Sequence, residues 1–407
     1  AARGCMPTIT ISPQRSLAGC IWLICLMVFA GCVKVGPDFS RPTPDIRNNW
    51  LEEDSARIRT VPADYHKWWA AFQDPVLDTL VQTAYAQNIP LRVAGARVFE
   101  ARARLGIAIG EQYPQVQQAV GAASYNRESE RGPSAPQQSG GVDFDYRQAQ
   151  VGATARWEID FWGKFRRAVE SEDANFLSSI AAYENALVSL TGEVARTYVL
   201  IRTLEDRQRI ALENVTVQKE SLRIASARFQ GGATSERDVQ QALTQLRSTE
   251  ATIPQIEANL RQAKNGLCTL LGMPPRNLDH ILGVRSAIPE APLEVAVGIP
   301  ADLLRRRPDI RTAELQAAAQ CALIGVAKAD LYPAFTLVGN FGFLSSDVGR
   351  FSLSDIASSN SRFVSFGPSF SWNLLNYGQI TNVVRVQDAL FQELIFSYQD
   401  TVLRAQQ

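Results

Sequence analysis

The 407-residue sequence has few of the residues on which catalytic and metal sites depend. It contains three methionines, two histidines (His66 and His280) and no net charge, because 41 Lys and Arg balance 41 Asp and Glu. Two histidines exclude a multi-histidine metal site, and a neutral chain argues against a nucleic-acid partner, which requires a clustered basic excess. The six cysteines form no Cys-x-x-Cys pair. We therefore expect no catalytic residues, no metal and no cofactor.

The N-terminal apolar run is shorter than a membrane-spanning helix. Residues 17–30 carry no charge and follow Arg15. About 20 apolar residues are needed to cross a bilayer, so this run instead has the size of the central region of a signal peptide. We predict that residues 1–31 are a signal peptide.

The apolar run ends in the sequence FAGC at 29–32, which resembles the lipobox of bacterial lipoproteins. The alternative LAGC at 17–20 matches the box better, but cleavage there would leave most of the apolar run on the product. We predict lipid attachment at Cys32, followed by a lipidated extension over 32–74, with a cleaved signal without lipid as the alternative. In bacterial lipoproteins an Asp directly after the lipidated cysteine favours retention in the inner membrane. The residue at this position is Val33, which indicates that the protein is sent to the outer membrane.

A seven-residue repeat of apolar positions predicts two long helices. From Ile180 to Phe229 apolar residues recur in alternating steps of three and four, which indicates helices wound around one another. The helical pattern reaches back to about Gly163, which gives a helix of ~100 Å. Gly231-Gly232 ends the first helix, and the same pattern resumes at Val239. We predict an antiparallel helical hairpin over 163–271, with an expected kink at Pro254.

Two stretches, 148–161 and 363–374, alternate with a period of two and predict strands with one apolar and one polar face. Weaker partner strands are expected at 115–125 and 334–344. A soluble β-sandwich is the alternative, but four strands between very long helices favour a membrane sheet. Because four strands cannot close a barrel and open edges are not tolerated in lipid, several chains must combine their strands. The polar residues predicted to line the barrel lumen are Arg156, Glu158, Asp160, Ser365, Ser369, Ser371 and Asn373.

The order helix, strand, loop, strand, long helix occurs twice in the chain. Gly106, Tyr113 and Pro114 recur at an offset of 219 as Gly325, Tyr332 and Pro333, and Trp157 and Gly163 recur at an offset of 215 as Trp372 and Gly378. We therefore divide the chain into a first repeat over 75–290 and a second over 291–407. At the offset of 215 Gln407 corresponds to position 192, so we expect the second repeat to be truncated by about 79 residues relative to the first, which continues to about Leu271.

Several motifs carry a resemblance to one known family. They are CVKVGPDFSRP at 32–42, WWAAFQDPVLDTLV at 68–81, WEIDFWG at 157–163, RFQGGATSERDV at 228–239 and IPADLLRRRPDIRTAE at 299–314. Together they resemble the TolC-like outer membrane factors, in the branch of NodT-type lipoproteins. The resemblance implies an α+β membrane protein whose two repeats supply four strands per protomer to a trimeric, twelve-stranded outer-membrane β-barrel, continued by a periplasmic α-helical tunnel.

The resemblance also implies a binding surface and partners. The family's tip motif matches Arg228, Phe229, Gly232, Ser235, Asp238 and Val239, which are expected to form the turn that docks on a periplasmic adaptor. Gln240 departs from the motif, where Leu is usual. The implied partners are two further copies of the chain, the adaptor (a membrane fusion protein), an inner-membrane pump of the RND type and outer-membrane lipid.

The expected function is a passive exit duct for drugs or other small organic molecules, lipid-anchored in the outer membrane and extending into the periplasm. One alternative is a duct for secreted protein or polysaccharide. The other is a lipid-anchored periplasmic coiled-coil scaffold, which would need the helices but not the two-faced strands.

Overall fold

A computed structural model describes residues 33–43, 58–59, 67–127, 129, 145–283, 287–290, 295–296, 304–348 and 352–406. The predicted signal peptide, Cys32 and His66 lie outside these residues. The helices are α1 (Pro75–Gln87), α2 (Ile89–Gly110), α3 (Lys164–Gln230), α4 (Glu236–Leu270), α5 (Asp279–Leu282), α6 (Pro308–Ala329) and α7 (Gln379–Ala405). Across the described residues, none of these helices combines the length and apolar character needed to cross a membrane.

The strands are β1 (Ile58–Arg59), β2 (Val116–Arg127), β3 (Asp145–Ile159), β4 (Val295–Ala296), β5 (Ala334–Ser346) and β6 (Arg362–Ser371). The four long strands form one antiparallel sheet in the order β2-β3-β5-β6, and the short pair β1-β4 is parallel. The two predicted hairpins are therefore joined within one chain by the pairing of β3 with β5, where Ala153 lies opposite Phe341.

The long helical hairpin forms where the seven-residue repeat predicts it. Helix α3 has 67 residues and α4 has 35, and α4 continues through Pro254. The apolar positions of the repeat from Ile180 to Ala225 and from Val239 to Leu270 are buried or half-buried. The 3.5-residue periodicity thus marks the packed side of both helices.

The residues group into two compact units, each of which draws on both sequence repeats. One holds the described residues of 1–42, 101–176 and 314–398, and therefore the whole four-stranded sheet. The other holds those of 43–100, 177–313 and 399–407, including most of the helical hairpin.

In the first unit, residues 33–42 form an N-terminal strap held by a buried arginine. Arg167 is 1% exposed, donates from Nε to the carbonyl of Val35 (3.1 Å) and from Nη2 to that of Gly36 (3.0 Å), and pairs with Asp38 (2.9 Å). The guanidinium lowers the pKa of the Asp38 carboxyl below its ordinary value. Gly36 has φ +95° and lies directly against Gly325 of α6.

In the second unit, a core of leucines, valines and aromatic residues surrounds a buried polar network. Arg202 is 1% exposed and pairs with Glu205 at 2.9 Å, while its Nη2 donates to the carbonyl of Leu282. Tyr198 donates to Asp74 at 2.6 Å, and burial, followed by that hydrogen bond, raises the tyrosine's pKa. Asp74 also accepts from the amide of Val76 and so caps α1. The network ties the start of α1 and the α5 turn to α3.

Candidate functional site

The turn between α3 and α4 is closed by a backbone motif that requires glycine. The amide of Ala233 donates to the carbonyl of Arg228 (2.8 Å), and that of Gly232 donates to Phe229 (3.0 Å). These are the two hydrogen bonds of a Schellman motif, whose penultimate residue adopts a left-handed conformation. Gly232 has φ +72°, so the predicted helix stop is present at the expected residue.

The start of α4 is capped by its own acidic residue. The Asp238 carboxylate accepts hydrogen bonds from the Thr234 hydroxyl, the Ser235 hydroxyl (3.1 Å) and the Ser235 amide (3.3 Å). The hydrogen bond from Thr234, followed by those from Ser235, lowers the pKa of Asp238. Because the charged form is favoured, the cap persists below the ordinary pKa of an aspartate and is lost only at lower pH.

The six predicted tip residues all lie in this turn, but some of them shape its backbone and others expose their side chains. Gly232, Ser235 and Asp238 shape the backbone, and Val239 is half-buried. Arg228 is exposed, and Phe229 is 43% exposed at the end of the heptad pattern. An exposed aromatic ring beside an arginine is the combination found at protein-binding surfaces.

Replacing Gly232 by alanine is expected to loosen the turn by about 1–2 kcal/mol, the cost of forcing an L-residue into the left-handed region. The neighbouring substitution Gly231→Ala is the matched control, since Gly231 has an ordinary φ and a Cβ there would sit 3.5 Å from its nearest neighbour. Hydrogen exchange of the Ala233 amide should accelerate in the first variant only. Equal exchange in both would contradict the assigned strain.

The strand register brings five of the seven predicted lumen residues onto one face of the sheet. Glu158 lies opposite Thr336, which lies opposite Ser369. The same face carries Arg156, Ser365 and Ser371, because directly paired residues of antiparallel strands share a face.

Asp160 and Asn373 lie beyond the ends of β3 and β6, so their predicted positions on the strands are wrong. The Asp160 carboxylate accepts from the amides of Phe165 (3.1 Å) and Arg166 (2.9 Å) and from the Arg166 guanidinium (3.0 Å). It therefore holds the first turn of α3, where unpaired amides favour a carboxylate. The period-two pattern continues two residues past the end of β3, so alternation alone extends this strand too far.

The opposite face of the sheet is apolar and exposed. Phe366 is 76% exposed, and the face also shows the exposed side chains of Val151, Phe341, Val364 and Phe370. A contiguous apolar surface of this kind is rare on a protein surrounded by water and common on one in contact with lipid.

Aromatic contacts at the base of the sheet could not be foreseen from periodicity. Trp162 stacks on Tyr332 with ring centroids 4.5 Å apart, and its indole N–H donates to the carbonyl of Pro333 (2.8 Å). Tyr332-Pro333 precedes β5 just as Tyr113-Pro114 precedes β2. The internal repeat was therefore the sequence signal that marked this position. Gly163 and Gly378, also equivalent in the repeat, both have positive φ.

The two-faced sheet and the long helical hairpin define a TolC-like outer-membrane protein. A solved structure of the outer-membrane channel OprN aligns with 92% of this chain and 80% of its own, with a TM-score of 0.83 and 33% sequence identity. The family described as outer membrane efflux protein matches residues 80–273 and 299–407. The chain belongs to the outer membrane efflux protein family.

Curated relatives agree with this assignment. Nodulation protein T of Rhizobium leguminosarum bv. trifolii is 30% identical over 77% of this chain, and the chain spans 65% of that protein's length. A second relative is the solvent efflux pump outer membrane protein SrpC of Pseudomonas putida. It is 29% identical over 88% of this chain, and the match covers 74% of the length of SrpC. This membership confirms the predicted TolC-like fold of four antiparallel strands and long helices, the outer-membrane location and the non-enzymatic character.

Proposed function

We propose that the protein is the outer-membrane exit duct of a tripartite efflux system, through which small organic molecules pass passively to the outside. The observation that carries this proposal is the sheet with one exposed apolar face and one polar face. A sheet of this kind suits a barrel wall that separates lipid from a water-filled lumen. The alternative periplasmic scaffold needs no such sheet, so the two faces favour the duct.

The assembly we propose is a homotrimer. Strands β2 and β6 are the edges of the four-stranded sheet, and an open edge in lipid leaves backbone groups without partners. Copies of the chain would therefore pair edge to edge, and three copies would close a barrel of about twelve strands, a size within the range of outer-membrane barrels. Arg156, Glu158, Ser365, Ser369 and Ser371 would then face the lumen.

The partners and the anchor follow from the same proposal. The turn formed by Arg228, Phe229, Gly232, Ser235, Asp238 and Val239 would dock on a periplasmic adaptor coupled to an inner-membrane RND-type pump. Cys32, exposed by removal of residues 1–31, would carry the lipid. The strap that follows it is fixed to Arg167, so the anchor would be tethered close to the sheet-bearing unit.

The cargo we propose is a small organic compound, since a relative is the outer-membrane protein of a solvent efflux pump. A duct for protein or polysaccharide is the second candidate, but nothing in the described residues specifically favours it.

The proposed function predicts that the protein conducts ions across a lipid bilayer. The purified protein, inserted into a planar lipid bilayer, is expected to give stepwise ion currents, and heat-resistant trimers are expected in detergent. Glu158→Gln should shift the cation-to-anion permeability ratio towards anions, because it removes a negative charge from the polar face. Inserted trimers without any conductance would overturn the proposed function.

A further inference from the structure

A small cavity lies where the sheet of the first unit meets its helices. It has a volume of about 110 Å³, and we call it the junction cavity. Its walls include Glu158, Trp162, Lys164, Tyr332, Ser371 and Asn373. A buried water needs roughly 10–15 Å³ measured in this way, so the cavity admits the head group of a small solute.

The cavity contains one negative charge without a partner. Its other charged groups are neutralised, because Lys164 pairs with Asp330 at 2.7 Å and Asp160 is bound by Arg166. Only the backbone of Glu158 is hydrogen-bonded, to the side chain of Gln115. Within the described part of the chain, the half-buried Glu158 carboxylate accepts no hydrogen bond and forms no ion pair.

The nearest cation on the same strand face lies outside the cavity. Arg156 precedes Glu158 by two residues on β3, a separation of about 7 Å along an antiparallel strand. Among the described residues the Arg156 and Glu158 side chains form no salt bridge with each other. The Glu158 carboxylate therefore has water as its only partner in the described part of the chain, and a cationic ligand would take the place of that water through a charge-assisted hydrogen bond.

One wall of the cavity is a fixed aromatic surface. Trp162 and Tyr332 stack at an interplanar angle of 25°, and the hydrogen bond from the indole to Pro333 holds the rings in place. Aromatic faces attract organic cations as well as apolar groups. The described residues offer no cluster of three carboxylate, imidazole or thiol groups for a metal ion, so an ammonium group suits the site better than a metal.

The duplicated chain accounts for the asymmetry of the site. At the repeat offset of 215, Asn373 is the counterpart of Glu158, and both line the same cavity. The second repeat thus supplies a neutral amide where the first supplies a carboxylate, so the unpaired negative charge of Glu158 has no second copy across the cavity.

We propose that the junction cavity binds small organic cations, with the ammonium group at Glu158 and the apolar part against Trp162 and Tyr332. This inference rests on the proposed function, since it names the class of cargo that the duct takes. A site of this kind, facing the polar side of the sheet, would retain cationic amphiphiles during their passage and favour them over neutral solutes of equal size.

The test is direct binding to the purified protein in a non-ionic detergent. 2-Phenylethylammonium chloride is titrated by calorimetry, with neutral 2-phenylethanol as the comparison ligand. We expect the cation to bind at least tenfold more tightly than the alcohol, and Glu158→Gln to weaken the cation at least tenfold. Arg156→Gln, on the same strand face but outside the cavity, should not weaken binding of the cation, because it removes a positive charge and leaves the Glu158 carboxylate in place.

The outcomes separate this site from the proposed duct. Equal affinity of the wild type and Glu158→Gln, with trimers and circular dichroism unchanged in both, would overturn the site. Equal affinity for the cation and the alcohol would also overturn it. Binding without bilayer conductance would refute the duct and leave the cation site standing, whereas conductance without binding would do the reverse.

Discussion

Substitution of Gly325 by valine is expected to release the N-terminal strap and to destabilise the sheet-bearing unit by about 3 kcal/mol, at the upper end of the cost of overpacking. A Cβ on Gly325 would lie 2.8 Å from the carbonyl oxygen of Val35 and from Cγ of Arg167. Neither can move easily. The strap is held by the hydrogen bond from the Val35 amide to the carbonyl of Trp162 (3.0 Å), and Arg167 is fixed by several acceptors.

The internal repeat offers a matched control for this substitution. Gly106 is the counterpart of Gly325 and lies at the corresponding place in α2, where a Cβ added by substitution would have no neighbouring atom within 4 Å. Gly106→Val should therefore leave stability within about 0.5 kcal/mol, as is usual for exposed sites. Hydrogen exchange of the Val35 amide is the sharpest measurement. If it accelerates in neither variant, or equally in both, the close packing assigned to Gly325 is wrong.

The parts of the fold that were predictable are those with a local signal. The heptad pattern and the pair Gly231-Gly232 placed the long helix and its turn to within a residue or two. Alternation placed all four long strands, with end points shifted by no more than about three residues. The resemblance of the tip and strap motifs supplied the family, which periodicity alone does not.

The contacts that were not predictable join residues distant in sequence. Gly36 contacts Gly325, which is nearly three hundred residues away in the sequence, and no sequence pattern near either glycine predicts this contact. The pairing of β3 with β5 likewise needed the structure, because alternation indicates a face and not a neighbour. The burial of Arg202 could not be predicted either, because a charged residue within a helix is ordinarily exposed to solvent. Here it is buried together with its partners Glu205 and Tyr198.

The largest functional effect is expected at the exposed part of the hairpin turn. The double substitution Arg228→Glu and Phe229→Ser should abolish export, lowering the tolerated concentration of a toxic organic compound in the host bacterium to that of the gene deletion. The physical reason is that both side chains are exposed, whereas the turn is shaped by Gly232, Ser235 and Asp238, which remain. An aromatic–arginine surface loses its binding energy when the ring is removed and the charge reversed.

A second double variant on the same helix distinguishes docking from a general change in α3. Arg207→Glu with Val217→Ser alters the same chemistry at exposed positions away from the turn, where Val217 is 65% exposed. Export should persist in this control, and both variants should retain heat-resistant trimers and bilayer conductance. Export that survives the tip variant would refute the docking surface. Loss of export in both variants would instead assign the interaction to the long helical face, because the turn would then share its role with a surface more than ten residues away.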